Sequence, residues 1–294
     1  MPSPESIKAR RALRKETVDP SVSLADERTG WDAVCTELPI APGVRLEMVE
    51  ICGVPAAQLT PAGPQDAPLI VYAHGGGLVA GSIPTHRAFA SRIAAATGCQ
   101  VILPAYRLLP EHPLSIPSDD LIAVTRDVVA RLEDRKRRVF LGGDSSGAGL
   151  AISSMVRLKD EHDILPAGFF AISGAFDATL SGESIRTRDR EDPVLSEAVL
   201  RHWQSQLGGF DLADPMISPL FADLSGLPPA LLLVGEDEVW LDDSVRLHAK
   251  LTAANIPSDL RIFDGMWHVW PMTEGLPESE EALSLIAEFI QRHR

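Results

Sequence analysis

The run Gly143-Asp144-Ser145-Ser146-Gly147 constrains this chain more than any other feature. It follows the apolar stretch Arg138-Val139-Phe140-Leu141-Gly142 and precedes a helix-like run from Ala148 through Leu158. The context is therefore a strand, a sharp turn and a helix, with a serine at the corner. A serine at such a corner needs almost no side chain two residues before and two residues after it. Glycine at both flanks supplies that room. The corner pushes the hydroxyl out of the sheet, toward solvent. Small residues cluster in many tight turns, so the pattern gains weight only from what accompanies it.

The accompaniment begins upstream. Leu69 to Ala73 reads as a buried strand, and His74-Gly75-Gly76-Gly77 follows it. Bare backbone of this kind can bring N–H groups close to a developing negative charge. A phosphate cradle would want a Lys-Ser or Lys-Thr pair after the glycines, whereas Leu78-Val79-Ala80-Gly81 stands there. His74 reads as a brace for the loop rather than a base. Near the end of the sequence, Arg261-Ile262-Phe263 is a short apolar strand running into Asp264-Gly265-Met266-Trp267-His268. A hydroxyl is a poor nucleophile at neutral pH without a base, most often imidazole. The chain holds eight histidines, so one near a strand end is unremarkable alone, and the order along the chain matters more: His268 follows both the serine turn and a strand that ends in carboxylates. That strand is Leu231-Leu232-Leu233-Val234, followed by Gly235-Glu236-Asp237-Glu238. Nucleophile, acid, histidine is the chain order of α/β-hydrolases.

His74-Gly75-Gly76-Gly77, the Gly143 to Gly147 turn, and Tyr106-Arg107-Leu108-Leu109-Pro110-Glu111-His112-Pro113 together resemble the hormone-sensitive-lipase family of α/β-hydrolases. The resemblance spans about residues 45 to 294. It implies an α/β fold with a mostly parallel central sheet, helices on both faces, and a helical cap. It implies a serine carboxylesterase acting on short- to medium-chain esters, with Ser145, Glu238 and His268 as the triad. It further implies an oxyanion hole from Gly76, Gly77 and Ser146, and no metal or organic cofactor.

Four departures from the family pattern stand out. Ser146-Gly147-Ala148 replaces the usual Ala-Gly-Gly, Ala105 precedes Tyr106 where Asp is common, and Val269-Trp270 follows the histidine in place of Gly-Phe. The acid run is Glu238-Val239-Trp240-Leu241-Asp242 where the family has Asp-Pro-Leu-x-Asp. The four-residue spacing to Asp242 favours Glu238 as the acid, yet Asp237 is adjacent and stays open as the alternative. Asp242 and Asp264 come next.

Composition bounds the reading. At 294 residues the chain can hold one large α/β domain with a cap, and its 45% hydrophobic fraction is that of a globular enzyme. The net charge of −14 disfavours nucleic acid and anionic membrane as partners. Cys35, Cys52 and Cys99 lack any close pairing and read as packing thiols. The first residues are polar and basic with no apolar core of a leader, and no apolar run is long enough to span a bilayer. A cytoplasmic protein is the expectation, and nothing in the chain excludes a homodimer.

The expected organisation is N-terminal cap helices over residues 1–44, a catalytic domain over 45–175 and 216–294, and a helical cap insertion over 176–215. Val44 to Leu59 reads as two strands, Ile83 to Thr97 as a helix, Cys99 to Leu103 and Pro166 to Ser173 as buried strands. Pro117 to Arg135 reads as an amphipathic helix ending in the basic run Arg135-Lys136-Arg137-Arg138. Asp192-Pro193 predicts a helix start, as N-cap and first helical residue. Trp203 and Phe210 are candidates to line the pocket.

Two other functions are compatible with the same residues. A lactone hydrolase would use the same triad on cyclic esters. A binding protein on an inactive scaffold, of the kind the plant gibberellin receptors exemplify, would be marked by loss of the serine or histidine; both are present here.

Overall fold

The computed structural model describes residues 1–15, 19, 21–64, 66–133 and 137–294. Two helices come first, α1 (Pro4–Ala12) and α2 (Leu24–Thr36), and then a hairpin of β1 (Val44–Ile51) and β2 (Val54–Pro61). Strands and helices alternate from there: β3 (Leu69–Ala73), α3 (Ile83–Thr97), β4 (Gln100–Pro104), α4 (Ser115–Glu133), β5 (Val139–Asp144), α5 (Ser145–Asp160) and β6 (Gly168–Ile172). The short α6 (Ser184–Thr187) and α7 (Glu197–Gln206) precede β7 (Ala230–Gly235), α8 (Leu241–Ala253), β8 (Ser258–Phe263) and α9 (Pro277–His293).

The strands form one sheet in the order β1-β2-β4-β3-β5-β6-β7-β8. Pairing is antiparallel at β1–β2 and β2–β4 and parallel from β4 onward. The strands β3, β5, β6 and β7 are buried along their whole length, which is why each reads as an apolar run, interrupted only by Asp144 at the end of β5. Alternation along them sorts side chains to two cores. Val71, Leu141 and Leu232 join Leu121, Met155 and Leu247 from α4, α5 and α8 on one face. Ile70, Tyr72, Phe140 and Leu231 join Phe89, Ile93, Ile286 and Phe289 from α3 and α9 on the other. The sheet covered on both faces is the architecture anticipated from the sequence.

Helix boundaries follow local chemistry. Ser82 caps α3 in a reciprocal pair with Thr85, and Gly98 closes it in the left-handed conformation at φ +67°. Asp192 does not open a helix. The helix begins at Glu197, with Ser196 accepting the N–H of Val199 at 3.3 Å. The carboxylate of Asp192 is buried instead: Oδ1 takes the N–H groups of Val194 and Leu195, and Oδ2 takes that of Val239. One carboxylate thus serves local donors with one oxygen and a remote donor with the other. In this region Leu180, Ile185, Leu195, Val199 and Leu200 form a third core against Val239 and Trp240.

Phe210 is 43% exposed, beyond Gly208 and Gly209 at positive φ, and turns away from the interior. Cys99 is buried, whereas Cys52 lies exposed in the β1–β2 turn, so the packing role fails for that thiol. In the basic run, Arg135 and Lys136 lie outside the described residues, as does the end of the expected Pro117–Arg135 helix. Among the described residues, no helix is long and apolar enough to cross a membrane.

Candidate active site

Ser145 stands between β5 and α5 with φ +51°, a left-handed conformation that costs a non-glycine residue about 1–3 kcal/mol unless the surroundings impose it. Here they do. A Cβ on Gly147 would lie 2.2 Å from the carbonyl oxygen of His74, and one on Gly143 would lie 2.8 Å from that of Ala73. The neighbouring strand β3 therefore forces both flanks to be glycine, and the turn is squeezed between main chains.

The loop after β3 rests on the same turn. Tyr72 Oη donates to Asp144 Oδ1 at 2.8 Å, and Gly75 N donates to the same oxygen at 3.2 Å. His86 Nε2 lies 3.4 Å from Asp144 Oδ2. Burial would raise the Asp144 carboxyl, but His86 and the Tyr72 hydroxyl outweigh it and hold it below its usual range. His74 is buried, stacked on Tyr106 with ring centroids 4.2 Å apart, and Tyr106 Oη donates to its carbonyl. Burial, with His86 adding to it, pushes the His74 imidazole down to about 3, so it is neutral and braces the loop. The departure at Ser146 also acquires a contact: its Oγ accepts the N–H of Leu78 at 3.2 Å, stitching α5 to the glycine loop.

His268 comes from the loop after β8. Its Nε2 lies 3.1 Å from Ser145 Oγ, and its Nδ1 lies 3.1 Å from Glu238 Oε2. A carboxylate only accepts, so Nδ1 carries the hydrogen and the Nε2 lone pair faces the serine hydroxyl. Burial alone would depress the imidazole. The hydrogen bond and charge of Glu238, with Asp192 and Asp144 behind it, leave it above its ordinary 6.5.

Glu238 is completely buried at the end of β7. Its Oε1 accepts from Ser173 Oγ at 2.9 Å and from the N–H of Gly235. Ser173 Oγ in turn accepts the N–H of Val269 at 2.9 Å, so one serine ties the acid to the residue after the histidine. Burial raises the Glu238 carboxyl above its usual range, against the pull of His268. Asp237 points elsewhere, with Oδ2 2.8 Å from Arg10 Nη1 and Oδ1 3.9 Å from Arg188. Asp242 accepts from Ser184 N at 2.8 Å, and Asp264 is half exposed at the surface.

Ser145, Ser146 and Gly77 line one cavity of about 80 Å³. Its remaining wall is mostly apolar, with Leu150, Leu200, Leu207, Ile217, Trp203 and Trp240 among its members and Gln204 as a polar one. Trp203 covers the glycine loop, for a Cβ on Gly77 would lie 3.2 Å from its indole. Gly76 sits behind Gly77, its carbonyl taking the N–H groups of Val79 and Ala80. The N–H of Ser146 belongs to the first turn of α5, where no intrahelical acceptor exists. Ser145, Glu238 and His268 thus meet through direct hydrogen bonds, with Gly77 and Ser146 beside them. Ser173 and Asp192 belong to the same network and went unnoticed in the sequence as site residues. The one local signal for Ser173 is its place at the carboxyl end of a buried strand, as for Ser145.

A family profile described as alpha/beta hydrolase fold matches residues 70–272. The chain is 35% identical over 263 residues to a protein named Esterase from Acinetobacter venetianus, covering 88% of this chain and 86% of the relative. A protein named Acetyl-hydrolase from Streptomyces hygroscopicus is 35% identical over 77% of this chain and 76% of its own length. A crystal structure of an esterase from the bacterial hormone-sensitive lipase family superposes with a TM-score of 0.93 at 36% identity, covering 100% of this chain and 99% of that one.

Proposed function

This chain belongs to the α/β-hydrolase family, in its hormone-sensitive-lipase branch, and is a carboxylic ester hydrolase; we propose that it cleaves esters of short acyl chains through an acyl-enzyme on Ser145. The observation that carries the reading is the unbroken path from Ser145 through His268 to buried Glu238 at the wall of a small apolar cavity.

In the first half-reaction His268 Nε2 takes the hydroxyl proton as Ser145 Oγ attacks the ester carbonyl carbon. The N–H groups of Gly76, Gly77 and Ser146 hold the resulting oxyanion, each such donor being worth ~3 kcal/mol when removed singly. Collapse of the intermediate breaks the bond to the alcohol oxygen, which leaves with the proton from His268. In the second half-reaction water gives a proton to His268 and attacks the acyl carbon. The acid departs and Ser145 recovers its proton. Glu238 keeps the hydrogen on Nδ1 and stabilises the imidazolium without itself being protonated.

Cavity size supports a short acyl group. About 80 Å³ is well below the ~300–1,000 Å³ of pockets that hold drug-sized ligands. We assign α1 and α2 (within residues 1–44) and residues 176–215 to a cap over this cavity. Leu200 and Trp203 from α7 line it. Arg28 from α2 donates to the carbonyls of Val79 and Leu109 beside the glycine loop. The three free thiols support a reducing compartment, and the cytoplasm is the proposed location.

Hydrolysis rates over p-nitrophenyl esters of increasing acyl length, measured beside a set of lactones, test the reading. The expected kcat/KM peaks at acyl chains of about two to four carbons and falls steeply beyond about eight, because the small apolar cavity holds little more. Faster turnover of lactones than of any open ester, or of emulsified long-chain fat, would contradict it.

A further inference from the structure

Helix α1 lies far from Ser145 in sequence, yet its start is fastened to α9 and its end to the loops that carry Glu238 and His268. At its start Ser3 Oγ and Ser6 Oγ both donate to Glu278 Oε2 on α9, at 2.9 and 2.6 Å. Before it, the ring of Pro2 packs so closely on Gly265 that a Cβ there would lie 2.9 Å from Pro2 Cγ. At its end Arg10 reaches three loops with one guanidinium. Nη1 lies 2.8 Å from Asp237 Oδ2 and donates to the carbonyl of Gly265 at 3.0 Å, while Nη2 donates to the carbonyl of Glu191.

Each acceptor is a near neighbour of the catalytic pair or of the carboxylate behind it. Asp237 immediately precedes Glu238. Gly265 lies in the turn that delivers His268. Glu191 immediately precedes Asp192, whose Oδ2 accepts the N–H of Val239 at 3.2 Å, on the other side of Glu238. The acid is thus held from both flanks, and the histidine loop is fixed to the same guanidinium.

We propose that Arg10 is a positioning residue for the Glu238–His268 pair. Its planar fork of donors sets the separation between the acid loop, the histidine loop and the cap segment carrying Asp192. The inference rests on the triad reading given above. Arginine suits the task because its donors point in fixed, divergent directions, whereas lysine offers one compact ammonium. The Arg10 side chain is 30% exposed, so its charge acts on the site through a solvated pair and the geometric tie is the larger effect. Asp237 is explained at the same time: the carboxylate beside the acid is the anchor for this tie.

The test compares Arg10→Met, Arg10→Lys, Asp237→Asn and the Arg10→Met/Asp237→Asn double variant in the full chain. The readouts are kcat and KM on p-nitrophenyl acetate, well below each variant's melting midpoint. Arg10→Met is expected to lower kcat about 10-fold with KM within about twofold, because loosened reacting groups weigh on the chemical step rather than on binding. Arg10→Lys recovers less than half of the loss. The double variant loses less than the product of the two single losses, as for groups acting through one contact. Wild-type kcat in Arg10→Met, a change confined to KM, or full recovery in Arg10→Lys would overturn the proposal. Where Arg10→Met fails to fold, Asp237→Asn carries the test: an about threefold fall in kcat at constant KM is expected, and no fall overturns it. A Ser145→Ala control separates the two readings. An inactive control beside an unaffected Arg10→Met removes the Arg10 role alone, whereas an active control removes the triad reading beneath it.

Discussion

The corner at Ser145 is imposed by crowding between main chains, whereas the acid and histidine are held by side chains drawn from distant segments. On the first side, β3 and β5 run parallel and adjacent, and the carbonyls of Ala73 and His74 leave no room for a Cβ at Gly143 or Gly147. On the second side, Glu238 depends on Ser173 after β6, its neighbour Val239 on Asp192 near α7, and Asp237 on Arg10 in α1. Backbone sterics tolerate almost no substitution, because the crowding atoms belong to main chain and cannot be trimmed by a mutation. A side-chain network can be retuned one contact at a time, and its failures should be graded.

The largest expected effect sharpens the first half of this contrast. Ser145→Ala should leave a folded protein whose esterase kcat is lower by ~10⁵ or more, since one member of a catalytic unit removes nearly the whole effect. Circular dichroism alongside ester turnover checks it, and near-normal turnover would break the comparison at its root.

Glu238→Gln should lower kcat by ~10³, because the amide no longer fixes the tautomer or stabilises the imidazolium. Asp237→Asn should lower it no more than ~10-fold, acting only through the tie to Arg10. Steady-state kinetics of both variants decide the acid. A severe loss in Asp237→Asn with a mild one in Glu238→Gln would reverse their roles and leave the fold standing.

The smallest effect is a shift rather than a loss. The imidazole must be neutral to accept the serine proton, and Glu238 raises His268 above 6.5. Activity is therefore present at higher pH and lost as pH falls through a value above 6.5 in the kcat/KM profile. Asp192→Asn removes a carboxylate that favours the charged imidazole, so the acid limb should move to lower pH. A wild-type limb at or below 6.5, or an upward shift in Asp192→Asn, would break the electrostatic account.

The same contrast explains what could be read from the sequence. Buried parallel strands announce themselves as apolar runs, and the crowded turn at Ser145 requires glycines at fixed offsets, so both are written locally. His268 was recoverable from chain order. Between Glu238 and Asp237 the spacing to Asp242 favoured Glu238 without deciding it, because the partner that takes up Asp237 is Arg10, more than two hundred residues upstream. Asp192-Pro193 carries the composition of a helix start, and its Oδ1 does take the local N–H groups of Val194 and Leu195; the N–H of Val239, which Oδ2 accepts, is brought in only by folding. Ser173 has no sequence signal beyond its place at a strand end; its two partners are supplied by the loops after β7 and β8.

The central claim is that Ser145 is the residue acylated during turnover. Treatment with an organophosphate or a sulfonyl fluoride, followed by intact-mass measurement and peptide mapping, tests it most directly. The account predicts a single adduct on Ser145, with residual esterase activity falling in proportion to the modified fraction, and no adduct in Ser145→Ala. Full inactivation with Ser145 unmodified, or with the adduct on another serine, would contradict it.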